Sequence, residues 1–508
     1  LIALGRATGT ELRHVHWEDN VYGWTDVAFG GGKVVLHQGG SAGGSTPHTL
    51  RVLGLAGPRP TVTTPVLPLG RIGSAYNTSL SATGTAPLTW SIPSGALPTG
   101  LSLSAAGVLS GTPTTAGTTR VVVKVTGGNG RSATRSMPLG VVTSGTPAWT
   151  TSFRDATRNP LEPGTGQLDL ADAPTFAFRW KTAPPGPTQF GDDQDVALAG
   201  TMLYTTGWDG TLKAFDTTGS QANRPPIWAV VPAPGTGAGY TGAPSISGTR
   251  ILVFDTDRRL HAVSTTDGSD LWHTDQLSGP ADAPLVVGSA VYVRDSAYQV
   301  RAFSVSDGAP LWAGQAAAPP NVYGPLSSDG TRIFGVSGCD LVAINAATGA
   351  VAWQVPIRLA PANECASALS FPPPPIVVAG KVYAAEPAGR AVVDAATGTV
   401  DLRFDAPAFG AGTGVVVGGL WLFPTDNRVV AVDVLNGELV WRSEDGISDG
   451  LRLSSTGDLL IAATPFGVTG LSRLTGESVF EGGTLQGVGG TPAIGTNRFF
   501  LTAQDGTR

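Results

Sequence analysis

Short apolar segments alternate with turn residues along most of the chain. In "APLVVGSAVYVRD" at 283–295, Gly288-Ser289 separates two apolar runs, which predicts two strands joined by a hairpin turn. An alternating third strand follows and ends in a Thr/Asp/Asn-Gly turn, where glycine supplies the positive φ. A fourth strand then ends at Trp, Phe or Leu. The order recurs through the C-terminal two thirds of the chain and predicts a repeated four-stranded antiparallel unit.

The repeat has a regular period. Its turn glycines are separated by 49, 40, 41, 49, 39 and 39 residues and lie at positions 219, 268, 308, 349, 398, 437 and 476. A period of about 40 residues with four strands in each unit is typical of a propeller blade. The pattern therefore predicts an all-β protein with a seven- or eight-bladed β-propeller in residues 145–508.

Aromatic residues recur at the end of the fourth strand. They are Trp228, Trp272, Trp312, Trp353 and Trp441. We interpret them as blade-packing residues that wedge between neighbouring units, as a stack of repeats requires. The alternative interpretation is a ring of aromatic side chains that stack on a ligand.

The repeat has a recognisable signature. Segments such as "AINAATGAVAW" at 343–353 follow the order Ala-x-Asp/Asn-x-x-Thr-Gly-x-x-x-Trp. Over roughly residues 175–508 the pattern resembles the PQQ-like, quinoprotein-type β-propeller repeat. The resemblance implies four-stranded blades. That family includes PQQ-dependent dehydrogenases and also non-catalytic BamB-like scaffolds of outer-membrane assembly.

Both ends of the chain carry parts of blades. Residues 1–57 read as the second half of a blade with Gly9 at the turn, and "RFFLTAQDGTR" at 498–508 reads as a first half. Residues 1–57 either complete the last blade or belong to a preceding propeller, in which case the strand around Trp180 closes the ring. We favour closure by Trp180 and expect the chain to be a processed or truncated part of a longer protein.

Residues 58–144 interrupt the repeat. A Pro-rich linker, "GPRPTVTTPVLP" at 57–68, precedes six or seven short strands with turn signals, which predicts a β-sandwich. "GVLSGTP" at 107–113 and "VVVKVT" at 121–126 make it similar to the bacterial Ig-like, cadherin-like module. The resemblance implies a spacer in an exported protein. Some relatives bind calcium through Asp-rich motifs, but "VTGGNGRSAT" at 125–134 lacks the aspartate.

Composition narrows the class of protein. Of the 508 residues, 41% are hydrophobic and 14% charged, and the net charge is −6, which excludes a disordered chain. The mild acidity argues against nucleic acid as a partner, and no apolar run has the roughly 18 residues of a transmembrane helix. We expect a secreted or cell-surface protein that binds a protein or glycan at the propeller face. Half-blades leave unpaired strand edges, so we also expect self-assembly or a larger complex.

Candidate catalytic and metal-binding residues are sparse. The quinoprotein resemblance implies calcium, a catalytic aspartate and a tryptophan under the quinone. The one local acidic cluster comprises Asp192, Asp193 and Asp195, which we interpret as a solvated loop, with a calcium site as the alternative. His14 and His16 share one face of a strand, but two ligands alone make a poor metal site. We predict no catalytic residues and no cofactor; the alternative is a PQQ- or metal-dependent oxidoreductase with a diverged site.

The two cysteines are Cys339 and Cys365. Their separation excludes the disulfide between adjacent cysteines that the alcohol dehydrogenases of the quinoprotein family carry. We predict a structural disulfide between them, which fits an exported protein. Two reduced thiols or a redox-active pair are the alternatives.

Overall fold

The computed structural model describes most of the chain after residue 57. Backbone strands alone are described within 2–54 and at 148–149 and 161–162. The remaining described residues are 58–143, 154–155, 158 and 196–503, the last range with gaps at 208, 219–224, 233–237, 278–282, 296–297, 313–320, 359–371, 387–388, 406–413, 426–427, 445–451, 465–466, 483–487 and 496–497. In these residues every regular element is a β-strand, and no helix is long and apolar enough to cross a membrane.

The N-terminal strands form two small antiparallel sheets. These strands are β1 (Ile2–Leu4), β2 (Glu11–His14), β3 (Trp24–Gly30), β4 (Lys33–Gln38) and β5 (Thr49–Gly54). One sheet has the order β1-β2 and the other β3-β4-β5. Among the strands described, neither sheet pairs with a propeller strand, and the place of residues 1–57 relative to the last blade stays a prediction. Trp180, the other predicted closing residue, lies outside the described part of the chain.

The second unit is the predicted Ig-like sandwich. Its strands are β6 (Thr61–Val62), β7 (Gly70–Arg71), β8 (Tyr76–Ser79), β9 (Ala82–Thr83), β10 (Thr89–Gly95), β11 (Leu101–Leu103), β12 (Val108–Gly111), β13 (Gly117–Thr126) and β14 (Ser132–Val142). The sheets β10-β13-β14-β7 and β11-β12-β8 pack against each other. Alternation along β13 turns Val121, Val123 and Val125 into the core against Trp90, because successive side chains of a strand point to opposite faces.

The propeller follows, preceded by two short strands, β15 (Ala148–Trp149) and β16 (Leu161–Glu162). Blades 1 to 4 contain β17 (Ala197–Ala199), β18 (Met202–Thr206), β19 (Leu212–Asp216), β20 (Trp228–Val230); β21 (Tyr240–Ser247), β22 (Arg250–Asp255), β23 (Leu260–Ser264), β24 (Asp270–His273); β25 (Leu285–Val287), β26 (Ala290–Arg294), β27 (Val300–Ser304); and β28 (Tyr323–Ser328), β29 (Arg332–Ser337), β30 (Asp340–Asn345), β31 (Val351–Pro356).

Blades 5 to 8 contain β32 (Ile376–Val378), β33 (Lys381–Glu386), β34 (Gly389–Asp394), β35 (Val400–Asp405); β36 (Val415–Val417), β37 (Leu420–Thr425), β38 (Arg428–Asp433), β39 (Leu439–Arg442); β40 (Arg452–Thr456), β41 (Leu459–Thr464), β42 (Gly467–Ser472), β43 (Ser478–Gly482); and β44 (Val488–Gly495), β45 (Arg498–Ala503). In blade 3 the fourth strand is reduced to a bridge at Pro310, which lacks the N–H that a ladder needs.

Hydrophobic clusters close these eight sheets into a ring. Each cluster combines residues of two successive blades, and one of them joins blade 8 to blade 1 through Ile494 and Leu198. The first strand of each sheet contacts the first strand of the next, so β17, β21, β25, β28, β32, β36, β40 and β44 line the central axis. The predicted fold class is confirmed, and the ring has eight blades.

The repeated turns have the conformation that the Thr-Gly signature predicts. The glycines at 268, 308, 349, 398, 437 and 476 have φ values between 72° and 79°. Each donates its N–H to the carbonyl oxygen four residues earlier. Because side chains disfavour this left-handed region, glycine is the residue that lets each blade turn from its third to its fourth strand.

The Pro-rich segment is more than a linker. Val62 and Leu67 are buried in the sandwich core, and Val66 is buried in the cluster between blades 6 and 7. The segment predicted as a Pro-rich linker at 57–68 therefore also contributes to the cores of the units it joins. The sandwich buries Val62 and Leu67, and the propeller buries Val66. The segment therefore packs the Ig-like module against the propeller.

Candidate functional site

The described residues of the segment before the first blade lie against the inner strands of several blades. β15 pairs with β17 in blade 1, and β16 pairs with β40 in blade 7. Between them, Arg158 is fully buried and donates from Nε to the Leu326 carbonyl oxygen at 2.8 Å and from Nη2 to the Ala283 carbonyl oxygen at 3.2 Å. Those carbonyls belong to blades 4 and 3. The chain's own residues therefore occupy part of the space in which an axial ligand would lie.

The inner strands supply none of the calcium ligands that the quinoprotein resemblance implies. Calcium prefers carboxylate, carboxamide and carbonyl oxygens. None of the eight first strands described contains Asp, Glu, Asn or Gln; their side chains are chiefly Ala, Val, Leu, Ile and Ser. The inner strands described therefore offer calcium no carboxylate or carboxamide side chain. Asp192, Asp193 and Asp195, the sequence candidates for calcium, lie outside the described residues.

The recurrent tryptophans lie between successive blades. Each indole Nε1 donates to a backbone carbonyl of the next blade: Trp228 to Thr265, Trp272 to Val305, Trp312 to Ala346, Trp353 to Ala395 and Trp441 to Arg473. Their rings also lie against turn glycines of the following blade, as Trp441 does at Gly476. These contacts agree with a role in blade packing and leave the indoles engaged within the protein.

Cys339 follows β29 and is disulfide-bonded. The predicted partner, Cys365, lies outside the described residues, so the pairing remains a prediction. We expect Cys339→Ser to lower the free energy of unfolding by about 3.5 kcal/mol, the value that the chain-entropy model assigns to a loop of this length. Urea denaturation of the variant and of Cys365→Ser measures the loss. Unequal losses, or two free thiols in mass spectra of unreduced peptides, would contradict the pairing.

The outermost strands expose apolar side chains at repeated positions. Seven large apolar residues are exposed in the described part of the chain, and five of them precede a blade tryptophan by one or two positions. These five, here called the outer apolar set, are Ile227, Leu271, Leu311, Val351 and Leu439. Leu271, Val351 and Leu439 lie on β24, β31 and β39, which are the last strands of their sheets among the described residues. Ile227 and Leu311 lie outside regular strands, beside the same edge of their blades. The edge of a sheet can pair with another strand. The outer wall of the propeller thus combines open edges with exposed apolar groups.

The Ig-like module and blades 6 and 7 form a polar junction. The Arg120 Nη2 of the module donates to both carboxylate oxygens of Asp433, at 2.8 and 2.9 Å. The Arg473 Nη2 donates to the Leu67 carbonyl oxygen at 2.8 Å, and its Nε donates to the Asp458 carboxylate at 2.8 Å. A cleft of about 360 Å³ beside this junction includes Leu439 of the outer apolar set in its lining. The module therefore has a defined orientation on the propeller.

A second polar group lies at the outer end of blade 2. His261 on β23 and His273 on β24 are cross-strand neighbours, and Asp270 lies between them. The His261 Nδ1 is 3.3 Å from one Asp270 carboxylate oxygen, and the His273 Nδ1 is 3.0 Å from the other. Asp255, at the end of β22, lies 3.1 Å from the His261 Nε2. We call these four residues the rim cluster.

Contacts within the rim cluster shift the pKa values of its members and of the neighbouring Tyr240. Burial of His261 opposes protonation, but hydrogen bonds from Asp270 and Asp255 outweigh it and raise the pKa of His261. Burial acts to raise the pKa of Asp270, while hydrogen bonds and charge from His261 and His273 bring it below the usual value. Burial, with the nearby Asp270 and Asp255 charges, raises the pKa of Tyr240, whose ring meets His261 edge-on at 5.4 Å. The imidazole ring of His261 is held between two carboxylates.

Reasoning from the sequence missed the rim cluster. His261 and His273 are 12 positions apart, a spacing unlike that of a familiar metal motif. The available signal was the hairpin itself: two histidines placed symmetrically about a Thr-Asp-Gly turn become neighbours on paired strands. His14 and His16, the histidines that the sequence singled out, lie at the N-terminus, where no side chain is described.

Two family models match the chain. The family described as "Outer membrane protein assembly factor BamB" matches residues 209–443 and 425–508, which together exceed half of the chain. The family described as "Putative Ig domain" matches residues 59–142. Both predicted resemblances are confirmed. Among curated proteins, none matches this sequence.

Solved structures share the fold. BamB from Moraxella catarrhalis is 19% identical, with a TM-score of 0.51 over 62% of this chain and 92% of that chain. A quinohemoprotein alcohol dehydrogenase from Comamonas testosteroni is 14% identical, with a TM-score of 0.54 over 68% and 74% of the two chains. A europium-containing methanol dehydrogenase is 13% identical, with a TM-score of 0.52 over 68% and 87%. At these identities the similarity shows the fold alone.

Proposed function

Because the chain belongs to the family of the outer membrane protein assembly factor BamB, we propose that it is an exported, non-enzymatic binding protein. Its propeller presents its outer wall to another protein, and the Ig-like module is held beside that wall. The observation that carries the proposal is the outer apolar set, three of whose members lie on strands that end their sheets in the described part of the chain. Apolar side chains beside unpaired backbone groups suit an extended protein segment, which adds a strand and buries its own alternate side chains.

Two further observations support a binding role over catalysis. Arg158 and the strands around it occupy the axial region, and the inner strands described lack the calcium ligands of a quinone site. The exposed apolar side chains of the outer apolar set also favour protein over glycan, because sugar hydroxyls need polar partners at the surface. Catalysis by a diverged quinoprotein is the alternative that these observations disfavour.

Export is supported by the disulfide at Cys339 and by the Ig-like module. Disulfides persist in oxidising compartments and are rare in the cytosol. Ig-like modules are typical of extracytoplasmic proteins, and the fold is shared with an outer-membrane assembly factor. We therefore assign the protein to the cell surface or the extracellular medium.

Site-specific photo-crosslinking in the producing cells tests the binding surface. A benzoylphenylalanine replaces Leu271 or Leu311 on the outer wall, and matched variants carry it at Asp257 or Thr266, at the two ends of blade 2. We expect a discrete protein adduct from the outer positions and none from the ends. An adduct of twice the chain mass would identify a second copy as the partner. Adducts only at Asp257 or Thr266 would refute the assignment to the outer wall.

A separate assay tests the absence of catalysis. The purified chain is incubated with PQQ and calcium, and reduction of an electron-accepting dye is followed with alcohols and aldose sugars as substrates. We expect no reduction beyond that of heat-denatured protein. Dye reduction that depends on PQQ and substrate would overturn the non-enzymatic part of the proposal and leave the crosslinking result to stand by itself.

A further inference from the structure

The rim cluster has the composition of a site for a transition metal. Three of its members, His261, Asp270 and His273, each offer one ligand atom, and these atoms lie within 4.8 Å of one another. Two imidazole nitrogens with one carboxylate oxygen form a ligand set that zinc accepts, whereas calcium and magnesium require oxygen ligands throughout. The chemistry of the donors therefore points to zinc.

The separations fit one ion. In a tetrahedral zinc site with bonds of about 2.0–2.1 Å, ligand atoms lie about 3.3 Å apart. The Nδ1 atoms of His261 and His273 are 3.3 and 3.0 Å from opposite oxygens of the Asp270 carboxylate, and one ligand atom from each residue lies within 4.8 Å of the others. The rings are 5.1 Å apart between centroids and inclined by 33°. Zinc would replace the proton in the hydrogen bond between His261 and Asp270, and rotation of the exposed Asp270 and His273 side chains would bring one carboxylate oxygen and the His273 Nδ1 to the ion.

A second carboxylate, that of Asp255, contacts the other ring nitrogen of His261. Asp255 is fully buried at its side chain and lies 3.1 Å from the His261 Nε2. Asp255 is held in turn by the backbone N–H of Arg259 at 2.8 Å. A carboxylate on the far ring nitrogen of a metal-bound histidine fixes the tautomer and orients the ring. His261 is thus arranged to present Nδ1 toward Asp270 and His273.

Comparison with the adjacent blades shows what is special to blade 2. At the position of His261, blade 1 has Lys213 paired with Asp209 at 2.8 Å, and blade 3 has Arg301 paired with Asp295 at 2.9 Å. A basic side chain facing an acid at this position is thus common to blades 1 to 3. Blade 2 uses the one cationic residue that can bind metal, and it alone of the three adds a second acid and a second histidine on the fourth strand.

We propose that the rim cluster binds one zinc ion through His261 Nδ1, Asp270 and His273 Nδ1, with Asp255 orienting His261 from behind. The fourth position faces solvent, since the His273 side chain is 53% exposed and that of Asp270 is 28% exposed, and it takes water. The ion links the third strand of blade 2 to its fourth, next to Leu271 of the outer apolar set. The site goes beyond the proposed binding function and does not depend on it.

Calorimetric titration of the tag-free, EDTA-treated chain with zinc chloride tests the site. We expect the wild type to bind one equivalent of zinc. His273→Gln and Asp270→Asn should each lower the zinc affinity at least tenfold. Asp255→Asn should lower it 10- to 100-fold, which is the usual effect of losing a carboxylate that orients a metal-bound histidine. Cobalt should give the visible absorption of a tetrahedral site in the wild type and not in His273→Gln. Because His273 is exposed, His273→Gln should keep the circular dichroism of the native protein.

The matched control is His14→Gln/His16→Gln, which removes the other histidine pair. Full zinc affinity in this control, together with loss in His273→Gln, supports the rim cluster. Three results would each overturn the proposal: no zinc bound by the wild type, equal affinity in His273→Gln, or loss of affinity in the control. Saturable binding of calcium in place of zinc would overturn it as well.

Discussion

Gly476→Ala is expected to destabilise the propeller far more than Gly380→Ala, although both glycines have nearly the same backbone conformation. Their φ values are 79° and 75°. A Cβ at Gly476 would lie 2.4 Å from the Trp441 ring, whereas a Cβ at Gly380 meets no atom within 4 Å. The left-handed conformation should lower the free energy of unfolding of both variants by about 1–2 kcal/mol. The overlap with the Trp441 ring should lower that of Gly476→Ala by about 1–3 kcal/mol more.

Urea denaturation of the two variants measures this difference directly. A third variant, Gly476→Ala with Trp441→Ala, tests its cause, because removal of the indole makes room for the new methyl group. We expect the double variant to lose less stability than the sum of its single changes, although Trp441→Ala itself costs about 3–5 kcal/mol. Equal losses at Gly476 and Gly380, or strict additivity in the double variant, would show that the tryptophan does not press on the turn.

Arg473→Met is expected to cost about 3 kcal/mol of stability and to uncouple the Ig-like module from the propeller. The Arg473 side chain is fully buried, and its guanidinium joins the Asp458 carboxylate of blade 7 to the Leu67 carbonyl of the module. The substitution leaves the carboxylate without its main partner and the carbonyl without a donor. In calorimetry the module should then unfold in a separate transition at lower temperature.

Arg120→Met is the matched control for this junction. Arg120 also crosses from the module to the propeller, but its side chain is 29% exposed, so water replaces part of what is lost. We expect a loss of about 1.5 kcal/mol, the value of a hydrogen bond to a charged group, and a single unfolding transition. A larger effect at Arg120 than at Arg473 would contradict the view that the buried guanidinium holds the two units together.

The coupling matters for the proposed function. A module tied only by a flexible linker would sample many positions and would bind a partner independently of the propeller. Here Val66 is buried between blades 6 and 7, and Gly418 and Gly419 leave room on blade 6 for the module's Leu69 and Pro138 side chains. A partner on the outer wall would therefore meet the propeller and the module in one fixed arrangement. This refines the sequence expectation of a spacer.

The amino-acid sequence by itself determined the local architecture of this protein. Strand alternation, the Thr-Gly turns and the tryptophans depend on residues within about 40 positions of one another, so their pattern can be read along the chain. The eight-blade ring extends the same logic, because each blade buries its faces on its two neighbours. The family resemblances followed from these local signatures at Gly349 and Trp353 and at their counterparts.

Only the tertiary structure decided which distant residues meet. Arg158 reaches carbonyl groups 125 and 168 positions away, and Arg473 reaches Leu67 across 406 positions. No local pattern marks such residues, because a single arginine in the sequence predicts a solvated side chain, and only the closed ring of blades buries it. The rim cluster depends on both kinds of contact. A local hairpin brings His261 next to His273, whereas the contact with Asp255 and the burial of His261 depend on the tertiary structure. Local periodicity therefore determines the blades, and ring closure determines the sites.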